Sequence, residues 1–515
     1  MENEENNLNA RRCELKAPFD GNREALGWAI DSIARTVAFI AASLFFGVSV
    51  LNLAKLEAGC IIIIPEGEIS LPPCDGRLYG FRPSSLVTLY TTVVSLLSAI
   101  SLPIVGAVLD HTTWRKPVGT GTAVIHCLII FIQIFLTEGN WMFMIIIQVI
   151  AAFLGWVHTL AVFAYLPELS PDPGTLATWT TYFNLVFYIA LFLFLLYMIP
   201  LLYFTGFDQN HIISARIASA SSFVVVTPCF GYVWLKLMQD RPASQPLREG
   251  SSLWTVGFHK VARTAGTLRT QYRSMMWFFI NVSLVEAAII SIGTVSVTYM
   301  TDVLIMTSVQ VSIAVICLFI SGIIGTLVGK LSMDHVNPIR SNQLCQVLSI
   351  LNTTLAAVFL TGPRQQARAY AIASGWGFVA GWKNLVERFM TTQIIPKGQD
   401  AELMGFYLFS SQVLSWLPTL IFTMMNEAEV NPRLSLGTMN VFFVGGILAL
   451  WMMGSYEDVV LKACAERNNT IQSDDQRNNK IDSESDDDNA VLNTTTPNKN
   501  EMHVEASIGD IEGNE

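Results

Sequence analysis

The sequence predicts an all-α polytopic membrane protein with twelve transmembrane helices in two six-helix halves. Of its 515 residues, 52% are hydrophobic and only 14% are charged. Apolar stretches of about 20 residues, each long enough to cross a hydrocarbon core of about 30 Å as a helix, recur from Trp28 to Gly454. A basic loop divides these stretches into six and six, which indicates two halves.

The spans are bounded by Pro, Gly and charged residues. The fifth is long enough to be tilted, or to break at Pro200. The twelve spans are predicted near 28–53, 84–109, 118–137, 141–165, 175–203, 212–236, 275–300, 308–333, 341–361, 367–391, 402–425 and 433–454.

The loop after span six sets the orientation. From Lys236 to Arg273 it has seven Lys or Arg residues against only Asp240 and Glu249. Loops rich in Lys and Arg stay in the cytosol, so an even number of spans places both termini there as well. We interpret the loop mainly as a topogenic linker; binding of anionic lipid or a partner is the alternative.

The chain is predicted to have five segments. From Glu466 onward, thirteen Asp or Glu residues against four Lys or Arg give −9 of the net charge of −10. An acidic stretch with almost no aromatic residues is typical of disorder. The segments are a cytosolic N-terminal segment at 1–27, the first half at 28–236, the cytosolic basic linker at 237–274, the second half at 275–454, and a disordered cytosolic tail at 455–515.

Two of the eight cysteines, Cys60 and Cys74, lie in the loop between spans one and two. On the predicted topology this loop faces a lumen or the outside, where a disulfide could persist. Both a bridge and two free thiols fit the sequence.

An internal echo supports the two halves. After span two the chain reads GAVLDHTTWRKP, and after span eight it reads GKLSMDHVNPIR. The first copy resembles the loop motif of the major facilitator superfamily, although Thr113 and Trp114 depart from it. The resemblance implies a conformational gate on the cytosolic face, and plain helix-end charges are the alternative. The implied gating residues are Gly106, Asp110, Arg115 and Lys116 in the first copy and Gly329, Asp334 and Arg340 in the second.

A longer run, ERFMTTQIIPKGQDAELMGFYLFSSQVLSW from Glu387, is similar to the signature of the autophagy-related protein 22-like vacuolar effluxers, a branch of the same superfamily. The segment YLPELSPDP after span four and the Gly27-Trp28 pair also resemble that family. Pro and Gly in the run suit a helix end followed by a reversal. The matching residues that we single out are Arg388, Pro396, Lys397, Gly398 and Glu402.

Ionisable residues within spans are costly and usually face the bundle interior or a water-filled cavity. In the major facilitator fold, spans one, four, seven and ten line the central cavity. The alternative for Asp31 and Arg388 is that they reach the membrane interface. The candidate substrate or cavity residues on those spans are Asp31, Arg35, His158, Glu286, Lys383 and Glu387.

Helical spacing pairs some of these residues. Asp31 with Arg35 and Lys383 with Glu387 are four residues apart, one turn along a helix. Glu286 has no basic residue one turn away, so it needs a partner from another helix or a proton. It could carry H⁺ during transport, or be a neutral structural residue.

The resemblance implies transport of amino acids from a vacuole or lysosome-like compartment to the cytosol, with protons as a candidate coupling ion. A facilitator for a nucleoside, organic acid or drug, and a non-transporting scaffold or receptor, are the alternatives. No pattern of covalent catalysis or zinc binding is present, so we expect no enzyme, cofactor or metal. The expected partners are the lipid bilayer and a small-molecule substrate, without nucleic acid, and the expected state is a monomer in a vacuolar or other endomembrane, or the plasma membrane.

Overall fold

The computed structural model of the protein describes residues 18–60, 76–170, 173–243, 252–395 and 400–461. Within those ranges the chain is almost entirely helical, and its one β-type contact is an antiparallel bridge between Leu78 and Phe81. The helices are named here after the predicted spans, and the two faces are called cytosolic and luminal after the predicted orientation.

Every predicted span coincides with one helix or, for spans eleven and twelve, with two consecutive helices. In the first half the helices are Arg23–Glu57, Pro83–His111, Arg115–Gln133, Trp141–Phe163, Pro173–Thr205 and His211–Leu237. In the second half they are Arg273–Asp302, Ser308–His335, Pro338–Phe359 and Gln366–Ile394, then Asp400–Val413 with Trp416–Glu427, and Pro432–Gly437 with Asn440–Met453.

Ten of the spans, among them spans eleven and twelve with their two helices taken together, are long and apolar enough to cross a membrane. The helices at spans nine and ten have 22 and 29 residues, so they are long enough, but they are more polar. Span ten contains Lys383, Glu387 and Arg388, and this explains its lower apolarity. The count of twelve spans therefore remains a prediction.

Local sequence explains where several helices begin. The Asn22 side chain accepts hydrogen bonds from the backbone N–H groups of Glu24 and Ala25, which caps span one. Thr307 forms a capping box with Gln310 at the start of span eight. Spans two, nine and twelve have proline in the first turn, where the missing N–H costs nothing.

Two helices depart from regular geometry or from expectation. Span one contains a π-helical stretch at Ala41–Phe46, a local widening that often occurs at functional sites. Span five runs without interruption through Pro200, so the helix does not break there.

Spans eight and ten approach each other closely because their contact is built from glycines. A Cβ atom on Gly377 would lie 1.7 Å from the Leu318 carbonyl oxygen, and one on Gly381 would lie 2.0 Å from that of Gly322. Small residues let membrane helices pack backbone to backbone. The stretch GWGFVAG is therefore a packing surface of span ten.

Two segments outside the predicted spans are also ordered. A helix at Leu253–Thr270, which we call the linker helix, lies within the predicted linker. Residues 456–461 are helical, and Val459 is buried in the core of the second half, so the packed body continues past 455. The predicted tail beyond residue 461 lies outside the described residues.

Candidate functional site

The candidate cavity residues form two buried clusters, one in each half. In the first half, Asp31 is fully buried at the centre. Its Oδ1 atom accepts a hydrogen bond from Trp234 Nε1 at 3.0 Å and lies 3.0 Å from His158 Nε2, and its Oδ2 atom accepts from Arg35 Nε at 2.7 Å. His158 Nδ1 lies 2.8 Å from the Thr122 hydroxyl. Spans one, three, four and six thus meet at one carboxylate.

Arg35 is the accessible member of this cluster. Its side chain is 19% exposed, whereas that of Asp31 has no exposure. The guanidinium lies 5.2 Å from the ring centroid of Trp28, within the range of a cation–π contact, and its Nη2 atom is buried without a hydrogen-bond partner in the described structure. Asp31 therefore does not reach an interface; it orients the guanidinium of Arg35 through the bond to Nε.

The second-half cluster centres on Lys383. Its ammonium contacts Glu286 Oε1 of span seven and lies 2.8 Å from Glu387 Oε2 of span ten. The Tyr407 hydroxyl of span eleven donates to Glu387 Oε1 at 2.8 Å. Glu286 thus receives its partner from another helix, and Lys383 pairs with two carboxylates.

The two clusters differ in charge. The first has one carboxylate and one guanidinium besides His158, whereas the second has two carboxylates and one ammonium, so with every group ionised it has a net charge of −1. A buried excess charge is expensive without compensation. Lys383 and Glu387 are buried, and Glu286 is 17% exposed. Glu286 is therefore the most exposed of the three charged groups in this cluster.

The two accessible side chains lie at similar depth. Arg35 follows the first residue of its helix, Arg23, by 12 positions, and Glu286 follows Arg273 by 13. At 1.5 Å per residue, both lie about 18–20 Å from the cytosolic ends of their helices. Spans one and seven are equivalent in the two halves, so a cation and an anion occupy matching positions.

The first loop motif forms ion pairs on the cytosolic face. Arg115 is buried; its Nε donates to the Leu109 carbonyl at 2.9 Å, and its Nη1 lies 2.6 Å from Glu168 Oε1. Glu168 belongs to the turn after span four, so two family-like stretches meet here. Asp110 pairs with Lys260 of the linker helix rather than with Arg115: its Oδ2 lies 2.9 Å from Lys260 Nζ.

Further polar contacts join the helix ends on the same face of the first half. Lys116 Nζ lies 3.3 Å from Asp240 Oδ2, and Arg241 pairs with Glu24 at the start of span one. Tyr165, which follows the helix Trp141–Phe163, donates its hydroxyl proton to the Gln239 carbonyl at 2.9 Å. Burial raises the pKa of Tyr165, and the nearby Glu24 carboxylate raises it further. These contacts join the ends of spans one, three, four and six.

The second copy of the motif is arranged differently. Gly329 packs against Trp382 of span ten, where a Cβ atom would lie 2.9 Å from the indole Cδ1, whereas Gly106 has nothing within 4 Å. Arg340 is exposed, and the Asp334 side chain lies outside the described residues. The two copies are therefore alike in sequence but differ in their surroundings.

On the luminal face, basic residues of the first half pair with acids of the second. Arg77 Nη1 lies 3.0 Å from Glu427 Oε2, and Arg82 Nη2 lies 2.9 Å from Glu429 Oε1. The Arg82 backbone N–H donates to Glu427 Oε1 at 2.8 Å. The first luminal loop is thus held against the end of span eleven.

Two further contacts join the halves near this face. Lys55 Nζ, at the end of span one, lies 2.8 Å from Asp302 Oδ1 at the end of span seven. The hydroxyls of Thr88 and Thr423 are 2.7 Å apart and buried. The luminal side is therefore closed.

The family-motif residues are only partly described. Arg388 is exposed, one residue beyond the buried Glu387. Pro396, Lys397 and Gly398 lie outside the described residues, as does the side chain of Glu402. Cys60 is disulfide-bonded, and Cys74 lies outside the described residues, so the predicted pairing stays a prediction.

Sequence reasoning missed four polar partners of the clusters: Trp28, Thr122, Trp234 and Tyr407. Tyr407 lies within the family-like run and Trp28 belongs to the family-like Gly27-Trp28 pair, so both had a usable signal; Thr122 and Trp234 look like ordinary helix-interior or apolar residues in their spans. Among the residues that the structure describes, no group of three or more His, Cys, Asp or Glu side chains could hold a metal ion.

Solved structures with a similar fold include three transporters. The nucleoside transporter NupG is 15% identical, with 84% of this chain and 98% of that chain covered and a TM-score of 0.53. The POT family transporter PepTSo is 13% identical, with 86% of this chain and 99% of that chain covered and a TM-score of 0.57. A D-xylose-proton symporter is 11% identical, with 83% of this chain and 97% of that chain covered and a TM-score of 0.54. These similarities show the major facilitator superfamily fold.

No curated protein sequence matches the chain. The model of the family described as "Vacuole effluxer Atg22 like" matches residues 21–184 and 180–457. These two matches cover both halves and all the described helices of the spans. The chain belongs to the vacuole effluxer Atg22-like family.

Proposed function

We propose that this membrane transporter moves amino acids from a vacuole or lysosome-like compartment to the cytosol by alternating access, with proton coupling. Rocking of the two halves about a site near the bilayer midplane suits the fold. The family name supports efflux from a vacuole. We further propose that the protein acts as a monomer.

The observation that carries the proposal is the opposite charge of Arg35 and Glu286. They are the accessible charged members of the two clusters, on equivalent helices and at similar depth. A zwitterion has one carboxylate and one ammonium. Arg35, whose side chain is 19% exposed, is suited to bind the carboxylate, and Glu286 is suited to bind the ammonium.

The charge of the Lys383 cluster supports proton coupling. Its excess negative charge can be balanced by a substrate ammonium or by H⁺, but both cations need Glu286 or Glu387 as their base. Competition between a proton and the substrate for one carboxylate site is a simple way to couple their movements. Glu286 is the proposed carrier, because it is the accessible one of the two carboxylates.

The test is counterflow of labelled amino acids into proteoliposomes, with and without a pH gradient. Loss of one hydrogen bond to a charged group is worth about 1.5–3 kcal/mol, so Arg35→Gln and Glu286→Gln should each weaken apparent affinity about 10- to 150-fold. Arg364→Gln and Glu457→Gln, which alter exposed residues away from the clusters, are the matched controls. Flux that is unchanged in Glu286→Gln would remove that residue from the site.

Modified substrates test each half of the site. Amino-acid amides lack the carboxylate, so the wild type should prefer the free acid, and Arg35→Gln should lose most of that preference. N-acetylated amino acids lack the ammonium, so the wild type should prefer the free amino acid to the N-acetylated one. Glu286→Gln should lose most of that preference. If both variants kept the wild-type preferences, the assignment of Arg35 and Glu286 would be refuted.

The same assay separates the alternatives. The structural neighbours are described as transporters of nucleosides, peptides and D-xylose, so these solutes belong in the panel. Counterflow of a nucleoside or sugar without amino-acid flux would favour a facilitator for another solute. Absence of flux for every solute, in protein that remains folded, would favour a scaffold or receptor.

A further inference from the structure

The linker helix, Leu253–Thr270, connects the two halves on the cytosolic face. It carries Lys260, Arg263 and Arg269 and no acidic residue. Its buried residues are Gly257, Thr264 and Leu268, which the spacing of seven and four residues places on one side of the helix. The helix therefore has one packed face.

One end of this face is fitted to span two. A Cβ atom on Gly257 would lie 2.0 Å from the Pro103 carbonyl oxygen, so the two backbones touch. One turn further along, Lys260 pairs with Asp110 at the end of span two, at 2.9 Å. A backbone contact and an ion pair thus hold the helix along the cytosolic third of span two.

The other end is fitted to the second half. Leu268 is buried in a cluster with Met275 and Phe278 of span seven. The linker helix also contacts the cytosolic part of span eleven, Asp400–Val413. It therefore contacts both halves near their cytosolic ends.

Polar contacts between the halves are divided between the two faces. Within the described part of the chain, the ion pairs that join the halves directly are Lys55 with Asp302 and those of Arg77 and Arg82, all luminal. On the cytosolic face, the ion pair of Asp110 with Lys260 joins the first half to the linker helix, which meets the second half through the apolar contact of Leu268.

We propose that the linker helix is a gating element that stabilises the lumen-closed state, and that Lys260 is the functional partner of Asp110. To open toward the lumen, the halves must bring their cytosolic ends together. The linker helix contacts spans two, seven and eleven at those ends. It must therefore shift, and the contacts at Gly257 and Lys260 oppose that shift.

The experiment measures how often the luminal side opens. The Asn426 side chain donates to the Ser85 hydroxyl at 2.7 Å, and Ser85 is buried in the closed luminal contact. A cysteine in place of Ser85 should react with a maleimide only when this side opens. The labelling rate of Ser85→Cys protein in nanodiscs, minus that of the parent, is the readout, and it needs no substrate.

Two glycines of the linker helix provide a matched pair. Gly257→Ala meets the span-two backbone, whereas Gly266→Ala adds the same methyl group where nothing lies within 4 Å. Both changes favour the helix itself by a similar amount. We expect Gly257→Ala to speed labelling of Cys-substituted position 85 at least about fivefold because overpacking displaces the helix, and Gly266→Ala to leave it unchanged.

Charge variants test Lys260 separately. Asp110→Asn and Lys260→Gln should each speed labelling about two- to fivefold, as expected for a partly exposed ion pair. The exchange Asp110→Lys with Lys260→Asp should restore the labelling rate of the protein that carries Ser85→Cys alone. The proposal would be overturned by equal labelling rates for the two glycine variants, or by single charge variants that label as slowly as the protein with Ser85→Cys alone. Because labelling does not depend on the cargo, failure here is distinguishable from failure of amino-acid transport.

Discussion

Replacement of Lys383 by methionine should be strongly destabilising. The ammonium is almost inaccessible and contacts Glu286 and Glu387, which belong to two different spans. Lys383→Met keeps a long unbranched side chain but leaves two carboxylates without their shared cation. Removal of one partner from a buried ion pair costs about 3–5 kcal/mol, because the remaining charge is uncompensated.

The free energy of unfolding in mixed micelles, measured by denaturant titration, would test this value. Lys330→Met provides the control, because Lys330 is exposed on the neighbouring span eight; this change should cost less than about 0.5 kcal/mol. The double variant Lys383→Met with Glu387→Gln removes one stranded charge and should recover at least half of the loss. The reasoning would be refuted if Lys383→Met were as stable as Lys330→Met, or if the double variant were no more stable than the single one.

Two other substitutions test the packing and the first cluster. Gly377→Ala forces a methyl group against a span-eight carbonyl oxygen and should cost about 1–3 kcal/mol, whereas Gly293→Ala in span seven meets nothing within 4 Å and should not destabilise; thermal unfolding of the two proteins compares them. Trp234→Phe deletes a hydrogen bond to the buried Asp31 and should cost about 1.5–3 kcal/mol. Trp451→Phe, at a highly exposed position, is its control in the same measurement, and equal losses would contradict the role given to Trp234.

The sequence predicted the helices well because a membrane helix depends on a local property, the apolarity of about 20 consecutive residues. The linker helix was missed because it lacks such a local signal. Its packed face has Gly257 and Thr264 where a typical amphipathic helix has large apolar residues. Its contacts depend on close approach to Pro103, which no local pattern reveals.

Ion pairs show the same difference between local contacts, which a sequence predicts, and long-range contacts, which it does not. Asp31 with Arg35 and Lys383 with Glu387 were predictable because residues four apart lie on one helical face. The contacts of Lys383 with Glu286 and of Lys260 with Asp110 join residues 97 and 150 positions apart. Such pairs depend on how the helices pack, so a single sequence supplied the charged residues but not their partners.

The strength of the luminal contacts bears on whether the transporter can open. Arg77 and Glu429 are largely exposed, and such ion pairs are each worth about 0.2–1 kcal/mol. The hydrogen bond between Thr88 and Thr423 is neutral and worth about 0.5–1.5 kcal/mol. Separation of these exposed ion pairs and of this hydrogen bond costs a few kcal/mol, the range in which a minor state is populated at about 0.1–10%. The luminal side is therefore closed by many weak contacts, a design that permits reversible opening without unfolding either half.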